Sequence, residues 1–204
     1  PGFTAVLFPR QAGLFVYGDY MEEKAQGGSA LARRAARKVF DAELGLCPPT
    51  ELTNLFLRQA QITDVDALLK RYMTEETFRK ELRFLVPQIL MIAQYGDQVT
   101  CDLIYEFAEQ IVDYIEAGFR RMKMRPEEEE IVLAGSVFKG ANNPLTKRVI
   151  GQIGERFSGA KPVQAGYEPV VGACIMGMIS LHMEPLEREK GIRESAAVLG
   201  LCRS

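Results

Sequence analysis

The chain has 204 residues, 47% of them hydrophobic and 25% charged, proportions that exclude a wholly disordered protein and leave room for one good core or two small ones. A formal net charge of −2 gives no overall pull toward nucleic acid or anionic lipid, so neither is an expected partner. No apolar run reaches the roughly 18–20 residues of a membrane span, and Cys47, Cys101, Cys174 and Cys202 include no C-x-x-C pair, so they read as reduced thiols packed as small hydrophobes in a cytoplasmic protein.

The first residue is Pro1 rather than methionine, and strand-like residues follow almost at once, which suggests a piece of a longer protein. Phe3-Thr-Ala-Val-Leu-Phe8 and Gly13-Leu-Phe-Val-Tyr17 are short and rich in aromatic and β-branched residues. Pro9-Arg-Gln-Ala12 separates them, so they predict a β-hairpin. Gly18-Asp19 follows; a carboxylate at a strand end can accept hydrogen bonds from a polyol or cap the turn. Beyond Gly27-Gly28, Ser29 is the predicted N-cap of a helix reaching about Leu44. Ala32, Ala35, Ala36, Val39 and Phe40 form its apolar face, with Arg33, Arg34, Arg37 and Lys38 mostly on the other, which reads as a solvated face rather than an anion site.

Cys47-Pro-Pro-Thr50 ends that helix, and helical patterns follow at 50–60, 63–73, 74–95 and 97–124. Thr50, Thr63 and Thr74 stand at N-cap positions, with Asp64, Glu75 and Glu76 in first turns where the helix dipole favours negative charge. Pro87 should break or kink its segment, because it removes a backbone donor and crowds the preceding turn. In 97–124, Ile104, Phe107, Ala108, Ile111, Ile115 and Phe119 recur at helical spacing and predict a core stripe.

Arg125-Pro126 closes the long helix, and the run Glu127 to Glu130 reads as self-repelling and solvated rather than metal-binding. Ile131-Val-Leu-Ala134 predicts a strand covered on both faces. It runs into Gly135-Ser136, a turn whose backbone N–H groups can approach a nucleotide or phosphate with no Cβ in the way. Asn143-Pro144 opens a helix to 157, a short strand is expected at Lys161-Pro-Val-Gln164, and helices are expected at 169–183 and about 187–199. The Pro/Gly-marked start near Gly172 could lie against the first glycine turn and complete one pocket. His182 is the single histidine and reads as structural. With no G-x-x-x-x-G-K-[ST] loop, G-x-G-x-x-G fingerprint or Ser-His-Asp set, the P-loop, Rossmann and triad mechanisms are set aside.

The order of Gly18-Asp19, Gly27-Gly-Ser-Ala-Leu-Ala-Arg-Arg-Ala-Ala-Arg-Lys-Val-Phe-Asp41, Val132-Leu-Ala-Gly-Ser-Val-Phe-Lys139 and Pro169-Val-Val-Gly-Ala173 resembles the C-terminal half of the BadF/BadG/BcrA/BcrD-type ATPases, a family that includes N-acetylglucosamine kinases. The similarity runs to about residue 183 and is most specific in the Gly-Ser-Val-(aromatic)-Lys loop and the later Pro-x-x-Gly-Ala. It implies an α/β, actin-like ATPase fold of two ribonuclease-H-like lobes with ATP between them. Residues 1–204 would be the second lobe: a hairpin at 1–20, a helical region at 29–124 that includes a large helical insertion at 50–124, an adenosine-motif region at 131–183 and a terminal helix at 187–200.

By the same resemblance Gly135, Ser136 and Lys139 lie in the adenosine motif, Gly172 and Ala173 border it, and Asp19, beside Gly18, contacts sugar hydroxyls. The chain departs from the family at two places. Tyr20 follows Asp19 where an uninterrupted Gly-Asp-Glu-Gly-Ser is usual, and Gly2-Phe-Thr-Ala5 stands for the phosphate loop, leaving Gly2 and Thr4 of its pattern. The catalytic aspartate would belong to an N-terminal lobe outside these residues, so the chain alone is not expected to transfer phosphoryl groups. ATP and Mg²⁺ are the implied cofactors. The N-terminal lobe and a small-molecule acceptor such as a sugar are the implied partners, and a homodimer through 50–124 is left open. Two alternatives stand beside this one: an ATPase that activates a partner enzyme through an interfacial iron–sulfur cluster, for which the cysteines lack the spacing, and a non-catalytic dimerisation or regulatory module.

Overall fold

In the computed structural model, residues 6–7, 15–16, 27–140 and 142–202 are described. Two short strands, β1 (Val6–Leu7) and β2 (Phe15–Val16), pair antiparallel with Val6 opposite Val16, as expected of a hairpin. Nine helices follow among the described residues. The first, α1 (Gly28–Glu43), starts two residues earlier than its sequence predicts, with Gly27 and not Ser29 at the N-cap. Its small residues Ala32, Ala35 and Ala36 are fully buried beside Leu31 and Val39. A helix face this slim lets neighbours approach closely, and α1 is the hub on which most of the next helices pack.

The helices after it are α2 (Glu51–Ala60), α3 (Val65–Thr74), α4 (Glu76–Glu81), α5 (Val86–Gln94) and α6 (Gln98–Met122); α4 packs on α3, and the others pack on α1. Thr50 caps α2 as expected, its hydroxyl accepting from Leu52 N–H at 3.2 Å. The other two threonines do not cap. Asp64 caps α3, accepting from Ala67 N–H at 2.7 Å; Thr74 prolongs α3, its hydroxyl donating to the Lys70 carbonyl. Asp64 stands one residue closer to the helix than Thr63 and brings a charge that the helix dipole favours. The pattern predicted over 74–95 is interrupted by a 3₁₀ turn at Leu82–Leu85, and Pro87 then sits in the first turn of α5, where its missing N–H leaves no bond unmade.

Asp97 joins two helix starts. Its carboxylate accepts from Thr100 N–H at 2.9 Å and the Thr100 hydroxyl at 2.5 Å, capping α6, and from Glu51 N–H at 3.0 Å and the Thr50 hydroxyl at 2.8 Å at the start of α2. The 25-residue α6 spans about 37 Å at 1.5 Å per residue. It buries Ile104, Phe107, Ala108, Ile111, Ile115 and Phe119 as its spacing predicts. Each fully buried Leu, Ile or Phe contributes about 1.5–3 kcal/mol relative to exposure, and one continuous core runs from α1 through α6 into the next unit.

That unit is β3 (Glu130–Leu133), α7 (Pro144–Arg156) and β4 (Lys161–Gln164), with β4 parallel to β3 and Leu133 opposite Gln164. Arg156, near the end of α7, donates to Asp113 and to Glu109 (3.4 Å) of α6 and so holds the unit on the helical body. The expectation that β3 is covered on both faces is corrected. Ile131 and Leu133 join the core, but Val132 on the other face is 57% exposed, and Val163 beside it on β4 is also exposed. With two strands and helices on one side, alternation along β3 turns every second residue outward. The described residues are mostly helical with this one small parallel sheet, so the α/β expectation holds in coarse form.

The chain ends in α8 (Pro169–Ser180) and α9 (Pro185–Val198), which pack on each other. α8 stops three residues short of its predicted end, and His182 follows in a left-handed turn (φ 56°), exposed. The cysteine expectation also needs correction, because Cys174 and Cys202 are exposed while Cys47 and Cys101 are half-buried. Cys174 lies on a helix that is apolar nearly all round and buries only Val171 among its described side chains. No helix among the described residues is long and apolar enough to cross a membrane.

Candidate functional site at the carboxyl end of the parallel strands

β3 leads straight into Gly135, whose φ of 125° and ψ of 161° belong to a region essentially restricted to glycine. One 3₁₀ turn follows, Ser136–Phe138, closed by Phe138 N–H to the Gly135 carbonyl at 3.3 Å. Val137 and Phe138 plug into the core while Ser136 stays exposed, so the turn is anchored from beneath and open above. α1 begins just beside it: a Cβ on Gly28 would lie 3.4 Å from Val86 Cγ2 and 3.6 Å from Val137 Cγ1.

Asn143 clasps the turn. Buried in front of Pro144, its Oδ1 accepts from Leu145 N–H at 2.9 Å and Thr146 N–H at 3.1 Å, which caps α7. Its Nδ2 donates to the carbonyls of Val137 at 2.7 Å and Lys139 at 2.9 Å. The carbonyl between them, that of Phe138, accepts from Gln164 Nε2 at 2.6 Å and the Thr146 hydroxyl at 3.2 Å. Three successive carbonyls are thus held by side chains of α7 and β4, so the turn keeps its shape without a ligand.

Lys139 reaches the start of α8, its Nζ 2.7 Å from Glu168 Oε1. Glu168 is the N-cap residue of α8 and makes no side-chain cap bond; its N–H donates to the Leu201 carbonyl at 2.9 Å, and Tyr167 bridges to Cys202. Through this ion pair the loop and the start of α8 come together, with exposed Gly172 and Ala173 one turn further along. The pair is half exposed, worth about 0–1 kcal/mol to stability, and leaves the mouth of the loop with little net charge.

Of the residues singled out in the sequence, Gly135, Ser136 and Lys139 form the turn, and Gly172 and Ala173 stand behind the Glu168 link. Thr4, Gly18 and Asp19 lie outside the described residues. The cysteines are not brought together: Cys47 Sγ approaches the Lys38 carbonyl at 3.6 Å and Cys101 Sγ the Ala93 carbonyl at 3.2 Å. Among the described residues no group of three or more His, Cys, Asp or Glu side chains is arranged to hold a metal. Sequence reading missed the donor half of Asn143, and with it Gln164 and Glu168. The Asn-Pro pair signals a cap, but nothing local signals that the same amide faces two carbonyls four and six residues back. Compared with models of known protein families and with curated proteins, the chain matches none.

Proposed function

We propose that the chain is the C-terminal nucleotide- and substrate-binding lobe of an ATP-dependent sugar kinase, N-acetylglucosamine-like, or of a related ATPase with the actin-like fold. The observation that carries this reading is the glycine turn at the carboxyl ends of β3 and β4, clasped in shape by Asn143 and open above. Ligands of open parallel sheets bind in the crevice outside those strand ends. A Cβ at Gly135 or Gly172 would meet no atom within 4 Å, so both backbones face free space, and the Ser136 hydroxyl is exposed beside it.

These residues fit an adenosine, with Lys139 positioned by Glu168 at the rim. The described residues offer no carboxylate set for Mg²⁺, so in this reading the ion is held by the ATP phosphates together with an N-terminal lobe. When bound, Mg²⁺ neutralises phosphate charge as an acceptor hydroxyl attacks the γ-phosphoryl group. This chain's own residues orient the nucleoside and, through Asp19, the acceptor.

Calorimetric titration of the full chain with adenosine and with ATP tests the reading. Both should bind, and Gly135→Val should weaken both by at least about tenfold, or 1.4 kcal/mol, while Ser136→Ala leaves the fold intact and weakens them less. Absence of adenosine binding, or equal binding by Gly135→Val, would sink it. In a kinase that includes both lobes, Asp19→Ala should impair acceptor use more than ATP binding; equal loss of both would remove Asp19 from the acceptor site.

A second reading, a dimerisation or regulatory module with a degenerate nucleotide site, draws on the apolar surface of α8 (Val170, Met176, Ile179) and the uncovered face of β3 and β4. It expects a concentration-dependent dimer in sedimentation and no nucleotide binding. A monomer that binds adenosine would count against it.

A further inference from the structure

Beside the first two turns of α1 lies a cleft of about 310 Å³, lined by Ser29 and Arg33 of α1, Glu76, Arg79 and Lys80 of α4, and Arg83 of the following 3₁₀ turn. Its volume is at the small end of the roughly 300–1,000 Å³ of ligand sites. We propose that this cleft binds a small phosphate-bearing anion of about pyrophosphate size, independently of the nucleotide reading of the Gly135 turn.

The charge on its walls is the first argument. Among the described residues that line it, four cations face one carboxylate, in a chain whose overall charge is −2. That carboxylate, Glu76, is already occupied by Lys80 of its own helix at 2.7 Å, which leaves three guanidinium groups without an ion-pair partner among the described residues of the lining. Like charges gathered in one concavity repel one another and focus a positive potential that draws in an anion.

The state of the three arginines is the second. Arg79 Nη1 donates to the carbonyls of Tyr72 at 2.6 Å and Met73 at 3.0 Å at the end of α3; this fixes the guanidinium in place, while its other N–H donors have no partner among the described residues. Arg83 lies over the Phe84 ring at 4.8 Å from the centroid, a contact that orients the group without using its donors. Arg33 makes no hydrogen bond or ion pair among the described residues. Planar guanidinium forks with unused donors match the oxygens of phosphate groups in pairs.

Helix geometry supplies the third. Ser29 and Arg33 are four residues apart on α1, so hydroxyl and guanidinium share one face. Gly27 caps that helix without a side-chain bond, which leaves first-turn N–H groups and the positive end of the helix dipole near Ser29. The sequence assigns Arg33 to a solvated face; the fold leaves it half-buried, across the cleft from α4. Phosphate chemistry is favoured here, in contrast to the ion-paired and nearly neutral mouth of the Gly135 turn.

The test is calorimetric titration of the full chain with inorganic pyrophosphate at low salt. Wild type should bind one equivalent saturably, and Arg33→Gln/Arg83→Gln should bind at least about tenfold more weakly, with unchanged circular dichroism. Gly135→Val should bind pyrophosphate as wild type does while losing adenosine, so the two sites fail separately. Absence of saturable binding at millimolar pyrophosphate would overturn the proposal. So would equal binding by the double variant, or a loss caused by Gly135→Val and not by the arginine changes.

Discussion

Replacing Asn143 by alanine removes four hydrogen bonds at once, two that cap α7 and two that hold the turn. The lost cap costs about 0.5–2 kcal/mol. The Val137 carbonyl, buried and left without a partner, costs about 1–3 kcal/mol more, while the Lys139 carbonyl lies closer to water and adds little. The total, about 3 kcal/mol, is a large part of a stability of about 5–15 kcal/mol. With a urea dependence of about 2–3 kcal/mol per molar, the unfolding midpoint should fall by about 1 M. Asn143→Asp separates the two halves of the residue. It keeps the acceptor for Leu145 and Thr146 and adds a charge the dipole favours, but turns an oxygen toward two carbonyls. Its midpoint should also fall, yet hydrogen exchange at the Leu145 and Thr146 amides should stay slow in Asn143→Asp and become fast in Asn143→Ala. An alanine variant within about 0.5 kcal/mol of wild type, or an aspartate variant as stable as wild type, would refute the clasp.

Two further outcomes follow from titratable groups. Burial pushes the Asp97 carboxyl up, but hydrogen bonds from Thr100, Glu51 and Thr50 outweigh it and hold the group below its ordinary value of 3.8. A depressed carboxyl contributes stability that is fully present above its ordinary value and lost as pH falls through the folded one. Asp97→Ala should therefore cost about 2 kcal/mol at pH 7, a gap that narrows below about pH 4; denaturation at a series of pH values would show it, and a gap constant from pH 7 to 3 would exclude it. Burial, aided by nearby Asp41, pushes the Cys47 thiol up, whereas Cys174 and Cys202 are exposed. Timed alkylation followed by peptide mass spectrometry should label Cys174 and Cys202 well before Cys47; the reverse order would contradict the fold around them.

The helical frame was legible in the residues because apolar spacing is a local signal. The stripe from Ile104 to Phe119, the alanine face of α1 and the Thr50 cap all follow from positions within a turn or two of one another. The caps of α3 and α4 were misplaced where neighbouring residues, Thr63 beside Asp64 and Thr74 beside Glu75, compete for the same role and the helix geometry decides. Covering both faces of β3 was an inference from composition alone, and composition does not reveal how many layers a sheet has. At the site, Gly135 and Pro144 announce themselves by chain geometry. The Asn143 amide, the Gln164 bond and the Lys139–Glu168 link join residues that only the fold brings together, and the basic cleft arises from two segments more than forty residues apart.

The shared carboxylate at Asp97 also shapes how the protein opens. A helix normally frays from its own end, at little cost to its neighbours, but the first turns of α2 and α6 hang on the same side chain across 46 residues of chain. Neither turn can open without unmaking bonds of the other. The two starts therefore behave as one unit in local unfolding, and the amides of Glu51 and Thr100 belong to a single opening event rather than to two frayed ends.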